Sequence, residues 1–314
     1  MEKQKNEILD RRGFLKGAAG VAAGAGIAAL DTHDNVAQAQ TGTEPAITPP
    51  TASQLAAETG PVSMDVKVLT TDRPGGDFMV DVLKSLNFEY IAANPGSSFR
   101  GLQESLINYG GNTMPELLTC CHEESSVGIA DGYARIEGKP MAVMAHGTVG
   151  LQHASMTIYN SFAARVPVFI ILGNHSDAME RRPGVEWFHS VQDAAAMVRD
   201  YTKWDDLPMS LKHFADSSTR AYKISMTPPH GPVIIVADGH LQESEIEAKE
   251  DLNIPKLTLT SAPSADPQTV KEIAELLVAA EYPLILAGPD ATRSEESLRT
   301  LIELSELLQM PVNY

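Results

Sequence analysis

From Gly75 onward the chain alternates two kinds of hydrophobic pattern. In "FEYIAAN", "PMAVMAH", "VPVFIILG" and "GPVIIVAD" nearly every position is apolar, which predicts short strands covered on both faces. Between them "GGDFMVDVLKSLN", "FRGLQESLINYG", "ESSVGIADGYARIEG", "GLQHASMTIYNSFAAR" and "SLKHFADSSTRAYKISM" carry apolar residues at helical spacing. "ELLTCC" adds one more extended segment. Apolar strands separated by helices predict an α/β fold in three layers, a parallel sheet with helices on both faces. "KLTLTSAPSADP" (256–267) reads as a linker, followed by a helix at "PQTVKEIAELLVAAE", a strand at "YPLILAGPD", a helix at "SEESLRTLIELSELL" and the start of a strand at "MPVNY". A unit of about 50 residues built this way does not cover its own sheet, so an incomplete second domain and a fragment of a longer protein are expected.

The N-terminal pattern differs. "DRRGFLKGAAGVAAGAGIAAL" joins Arg11-Arg12 to a mild Gly/Ala-rich run, and "AQAQ" offers an A-x-A cleavage site ending at Ala39. Residues 1–39 therefore predict a twin-arginine signal peptide and a periplasmic mature protein. The apolar run is too short and too mild to span a membrane, and no membrane association is expected after cleavage. Residues 40–66 are rich in Pro, Thr, Ala and Gly without apolar period, and 40–74 is expected to be a mobile linker. The expected organisation is thus signal 1–39, linker 40–74, first domain 75–245, linker 246–265 and incomplete domain 266–314.

Charge and cysteine content exclude some functions. The net charge is −17, and removing residues 1–39 takes away five basic and five acidic residues, which leaves it at −17. Such a balance argues against a nucleic-acid surface and against anionic lipid. The two cysteines, Cys120 and Cys121, are adjacent. A disulfide between neighbours is strained, and no second Cys/His pair stands at metal-ligand spacing. They read as small residues at the end of a buried strand.

Candidate chemistry gathers at strand ends, where open parallel sheets place their ligands. "NPGSS" (94–98) follows the first strand, Glu123 stands between "ELLTCC" and a helix expected to start near Ser125, and "HGTVGLQH" (146–153) follows "PMAVMA". Ser97, Glu123 and His146 would then lie along one edge. Each has an ordinary alternative: a turn and helix cap for "NPGSS", a dipole-favoured cap for Glu123, and a loop histidine for His146. Gly128 and Gly132, four apart, would let a backbone or flat ligand approach one helix face.

In this order and spacing, "NPGSS", "HEESSVGIADGYARIEGKP", "HGTVGLQ" and "VPVFIILG" resemble the pyrimidine-binding domain of thiamine-diphosphate-dependent enzymes. The similarity is to the group of acetolactate synthase, benzoylformate decarboxylase and pyruvate decarboxylase. It covers about residues 75–245, including "YTKW" (201–204) and "HGPVIIVAD" (230–238), and 266–314 is similar to the start of the group's Rossmann-like middle domain. The resemblance implies that Glu123, eight residues before Asp131, is the activating glutamate that bonds N1′ of the cofactor's aminopyrimidine. It also implies that Asn94, Pro95, Gly96 and Gly147 bind the cofactor, that Ser97 binds the substrate carboxylate and that His146 relays protons. The implied chemistry is attack of the thiamine ylid on a 2-oxo acid and loss of CO₂ to leave an enamine.

There are departures. Acetolactate synthases usually carry Ser-Gly-Pro-Gly-Ala-Thr-Asn where this chain has "HGTVGLQH", which favours a decarboxylase over an acetolactate-synthase-like carboligase. His153 stands where both groups usually carry asparagine, and His189 in "VEWFHSVQD" (185–193) either borders the substrate pocket or is a surface residue. The family's Gly-Asp-Gly with its downstream Asn does not occur, and "ADGH" (237–240) lacks a suitably placed Asn. The resemblance therefore places the Mg²⁺ and diphosphate ligands in a C-terminal domain outside this chain, which itself supplies no metal ligand. FAD, bound by some relatives through the middle domain, has no support here. A homodimer or homotetramer is expected of the complete enzyme, with this chain inactive alone. A subunit of a split enzyme and a non-catalytic half-site binding protein are the alternatives.

Overall fold

The structure is a computed structural model that describes residues 51–59, 73–247, 251–261 and 264–313. The expected signal peptide lies outside the described residues. In the first of two compact units, Met1–Lys67, residues Ala52–Thr59 form helix α1. The expected linker over 40–74 thus carries one short helix. Thr51 Oγ1 accepts the Gln54 N–H at 3.3 Å and Gln54 Oε1 accepts the Thr51 N–H at 2.8 Å, a reciprocal capping box that starts the helix.

The second unit, Val68–Tyr314, holds the sheet. Its elements run α2 (Gly75–Ser85), β1 (Tyr90–Ala93), a 3₁₀ turn (Ser97–Phe99), α3 (Arg100–Glu104), β2 (Glu116–Thr119), α4 (Glu123–Glu137), β3 (Ala142–His146), α5 (Gly147–Ala163), β4 (Phe169–Asn174), α6 (Val185–His189), β5 (Trp204–Asp206), α7 (Leu211–Ser225), β6 (Val233–Asp238) and α8 (Gly239–Glu243). The strands lie in the order β2-β1-β3-β4-β6-β5, and every pairing is parallel. Side chains alternate along each strand, so β4 sends Phe169 and Ile171 to one core and Ile170 and Leu172 to the other. The first core packs against α2 and α7 through Met79, Leu83 and Phe214, the second against α4 and α5 through Val127, Leu151 and Ile158. The three-layer expectation holds.

Several local expectations change. β2 is an edge strand and only half-buried, so Cys120 is buried while Cys121 is exposed. Helix α4 starts at Glu123, two residues before the expected start, because His122 takes the cap: its Nδ1 accepts the Glu124 N–H at 3.2 Å. Among the described residues nothing lies within 4 Å of where a Cβ on Gly128 or Gly132 would stand. Strand β5 arises within "YTKW" and the residues after it, a stretch too short and too polar to register as a strand. The segment "FRGLQESLINYG" winds as 3₁₀, then α, then π over Ser105–Tyr109.

The ends of the first domain are tied together: Ser244 O accepts the Gly75 N–H at 2.9 Å and Arg73 O accepts the Ile246 N–H at 2.8 Å. Within the expected linker Ile246, Leu252, Ile254 and Leu257 pack onto the first core. Residues 264–313 form α9 (Pro267–Ala279), β7 (Ile285–Leu286), α10 (Glu295–Leu308) and β8 (Val312–Asn313), with β7 and β8 parallel. Neither helix buries a residue. No described helix is long and apolar enough to cross a membrane.

The sheet's stability depends on its two dry cores. Phe88 is buried between Phe169, at 5.1 Å between ring centroids, and Tyr222, at 5.5 Å. Phe88→Ala is expected to lower the unfolding free energy by about 3–5 kcal/mol. Tyr282→Ala, at a position 93% exposed, should stay within about 0.5 kcal/mol of wild type in the same denaturant titration.

Candidate active site

The carboxyl ends of β1, β3 and β4 lie side by side, which brings "NPGSS", His146 and Gly173 into contact. Gly173 makes this approach feasible, since a Cβ there would stand 2.6 Å from the Ser98 carbonyl. A Cβ on Gly96 would stand 2.6 Å from His146 Cγ. Ser98 then fixes the histidine. Its backbone N–H donates to His146 Nδ1 at 3.3 Å, its hydroxyl lies 2.8 Å from the same nitrogen, and its Oγ accepts the Gly147 N–H at 3.0 Å. A backbone N–H can only donate, so His146 Nδ1 is the acceptor and Nε2 carries the proton. That Nε2–H points at His189 Nδ1, 2.6 Å away, with the rings edge to face. His146 is buried, and burial pushes its pKa below 6.5; His189 and His175 push the same way and Glu123 opposes them.

Glu123 is the first residue of α4, and its carboxylate is 3% exposed. Oε2 lies 3.2 Å from His153 Nδ1. Among the described residues no hydrogen bond reaches Oε1. Gly150 separates Glu123 from His146: a Cβ there would be 2.9 Å from Glu123 Oε1 and 3.3 Å from His146 Cβ. His122 stacks on His153, with centroids 4.7 Å apart at 14°. Asp131 has a structural task, bonding Arg135 on its own helix and accepting the Ser161 hydroxyl of α5 at 2.8 Å.

Of the residues singled out in the sequence, Glu123, His146, Gly96 and Gly147 meet at this edge. Gly147 has φ +38°, and a Cβ on it would be 2.5 Å from the His189 carbonyl oxygen. Asn94 is half-buried, Pro95 exposed and Ser97 half-buried with no hydrogen bond from its hydroxyl among the described residues. The serine that grips His146 is Ser98, which the sequence reading passed over. Two adjacent serines in a tight turn diverge in direction, and nothing local marks which one faces inward. His189, expected either to border the substrate pocket or to lie on the surface, is a contact of His146, and His153, which stands where the resembling groups usually carry asparagine, is a contact of Glu123. Farther along the edge, Glu186 on α6 is buried against Arg100 at 2.9 Å and Arg182 at 2.8 Å.

Residues 73–197 match the family model described as "Thiamine pyrophosphate enzyme, N-terminal TPP binding domain". The chain is similar to benzoylformate decarboxylase of Pseudomonas aeruginosa, 26% identical over a region covering 67% of this chain and 41% of that protein. It is also similar to the acetolactate synthase catalytic subunit of Aspergillus candidus, at 24% identity over 76% of this chain and 35% of that one. Among solved structures, benzoylformate decarboxylase from Polynucleobacter necessarius superposes with a TM-score of 0.64 at 25% identity, covering 76% of this chain and 43% of that one. The chain spans about two fifths of the length of the curated relatives it matches.

The buried, neutral His146 makes stability fall in mild acid. Its folded pKa lies below the unfolded 6.5, so between about pH 7 and pH 5 the unfolded chain takes up a proton that the folded chain refuses. The unfolding free energy is expected to drop over that window, and the drop should be smaller in His146→Gln. Chemical denaturation at pH 7.5, 6.0 and 5.0 measures both.

Proposed function

We propose that this chain, whose residues 73–197 match the thiamine pyrophosphate enzyme family model, supplies the half of a thiamine-diphosphate site that holds the aminopyrimidine ring, in an enzyme that decarboxylates a 2-oxo acid. One observation carries the reading: Glu123, buried at the sheet edge, keeps Oε1 unengaged beside the space that Gly150 leaves. The donor set fits the group, since a flat heteroaromatic ring with a basic ring nitrogen is matched by a single buried carboxyl oxygen. The thiazolium of the bound cofactor supplies an electron sink for the carbanion that decarboxylation leaves.

The chain's own residues do the rest. Glu123 orients the ring and shares a proton with its nitrogen, helped by the dipole of α4. Asn94, Pro95, Gly96 and Gly147 line the cofactor beside it. His146, neutral near pH 7, carries its proton at Nε2, because Ser98 holds Nδ1, and relays protons by handing that one to His189 Nδ1 before Nε2 takes up another. His189 continues the path from His146 towards the half-exposed surface. The Ser97 hydroxyl, which has no partner among the described residues, receives the substrate carboxylate. The sequence "HGTVGLQH", which ends β3 and opens α5, supports simple decarboxylation over carboligation.

With no Gly-Asp-Gly in the 314 residues, Mg²⁺ and the diphosphate are assigned to residues outside this chain, which by itself turns over no 2-oxo acid. The exposed Ile129 and Ile136 on α4 and Met156, Tyr159 and Phe162 on α5 support self-association through these helices, as a homodimer or higher homo-oligomer. The twin-arginine pattern of residues 11–39 supports action in the periplasm.

CO₂ release from benzoylformate and pyruvate, with thiamine diphosphate and Mg²⁺ present, tests the assignment. The chain alone should show no turnover, and the chain assembled with a diphosphate-binding region should be active. Glu123→Gln in the assembled enzyme should lose about 10²-fold or more in kcat; unchanged turnover would refute the role of Glu123.

A further inference from the structure

His122, Glu123 and His153 form a cluster that the decarboxylase reading leaves only partly used. Each offers a ligand atom, and the three atoms lie within 4.8 Å of one another. The two imidazoles are stacked, 4.7 Å apart, and His153 Nδ1 is 3.2 Å from Glu123 Oε2. Among the described residues no Lys or Arg pairs with this buried carboxylate, and its one ionisable partner is His153. We propose that His122, Glu123 and His153 bind a late first-row divalent cation such as Zn²⁺ at the mouth of the site.

Two neutral imidazoles and one carboxylate are a donor set suited to Zn²⁺, which takes nitrogen at about 2.0–2.1 Å and carboxylate oxygen at about 2.0–2.2 Å in a tetrahedron. Ligand atoms around such an ion are ~3.3 Å apart, and those of the cluster lie within 4.8 Å, so the widest separation must contract by up to about 1.5 Å. The parts able to move are the right ones. The His153 side chain is 57% exposed, whereas Glu123 is held in the core. His122 must give up its cap on the Glu124 N–H, a bond of 3.2 Å, because the lone pair that accepts it is the one a metal would take. Three protein ligands leave a fourth position open to water or another small ligand. Nitrogen donors distinguish this site from a Mg²⁺ site, which uses oxygen ligands.

The consequence for the proposed enzyme rests on the decarboxylase reading. A cation on Glu123 Oε2 draws electron density from the carboxylate whose Oε1 is offered to the aminopyrimidine ring, so each weakens the other's binding by the same factor.

Metal binding is tested on the chain with no thiamine diphosphate and no 2-oxo acid present, so its outcome is independent of the proposed activity. The chain is loaded with Zn²⁺ or Co²⁺ at pH 7.5, dialysed against metal-free buffer and assayed for retained metal. One equivalent is expected, with the visible d–d bands of four- or five-coordinate Co²⁺ bound by nitrogen and oxygen. His153→Ala, which removes a largely exposed side chain, should weaken binding at least tenfold and abolish the rise in Tm that Zn²⁺ gives the wild type. His122→Ala and Glu123→Gln should weaken it likewise, with circular dichroism confirming the fold. Loss of all metal on dialysis overturns the proposal and leaves a plain His153–Glu123 pair. Equal retention by His153→Ala, or a thiolate-to-Co²⁺ charge-transfer band from the exposed Cys121, overturns it as well.

Discussion

A carboxylate taken out of water needs a partner, and Glu123 has been placed where few exist. It is 3% exposed at the start of α4, with His153 as its one ionisable partner among the described residues and a glycine against its second oxygen. A buried charge of this kind is expensive to maintain, and replacing it by an apolar residue of similar size commonly leaves a fold as stable or more so. The architecture around it keeps the carboxylate in position. The dipole of α4 favours negative charge at this end, and the His122 cap holds the first turn.

The parallel sheet makes the position consequential. Every strand of the first domain runs the same way, so the segments that follow β1, β2, β3 and β4 meet at one edge. Small residues allow them to close on each other. Gly173 admits Ser98, Gly96 admits His146, and Gly150 lets Glu123 and His146 stand on either side of one helix turn. The bonds of Ser98 then settle which nitrogen of His146 carries the proton. The donor and acceptor roles along Ser98, His146 and His189 follow from one fact, that a backbone N–H has no lone pair to accept with.

Much of this was legible in the sequence because the strongest signals are strand-length apolar runs and the segments between them. "PMAVMAH" and "VPVFIILG" gave β3 and β4, and the strand-end placement of Glu123 and His146 followed. The edge elements were harder. β5 is three residues long, and β2 is half-exposed, so neither shows the two-faced apolar signature. The cap at His122 was missed because His ranks low among N-cap residues, while Glu123 itself had the ordinary reading of a dipole-favoured cap. Partnerships across the fold, His146 with His189 and Glu123 with His153, depend on side-chain direction in elements 43 and 30 residues apart. Pattern along the chain holds no record of such directions. The same limit hid the choice between Ser97 and Ser98.

The central claim is that Glu123 is buried in order to face a cofactor ring. A crystal structure of the assembled protein with thiamine diphosphate tests it most directly. The account predicts Glu123 Oε1 within about 2.6–3.2 Å of an aminopyrimidine ring nitrogen, with the ring lying over the edge formed by Gly96, Gly147 and Gly150. A cofactor bound elsewhere, or a Glu123 carboxylate that still contacts only His153, would contradict it.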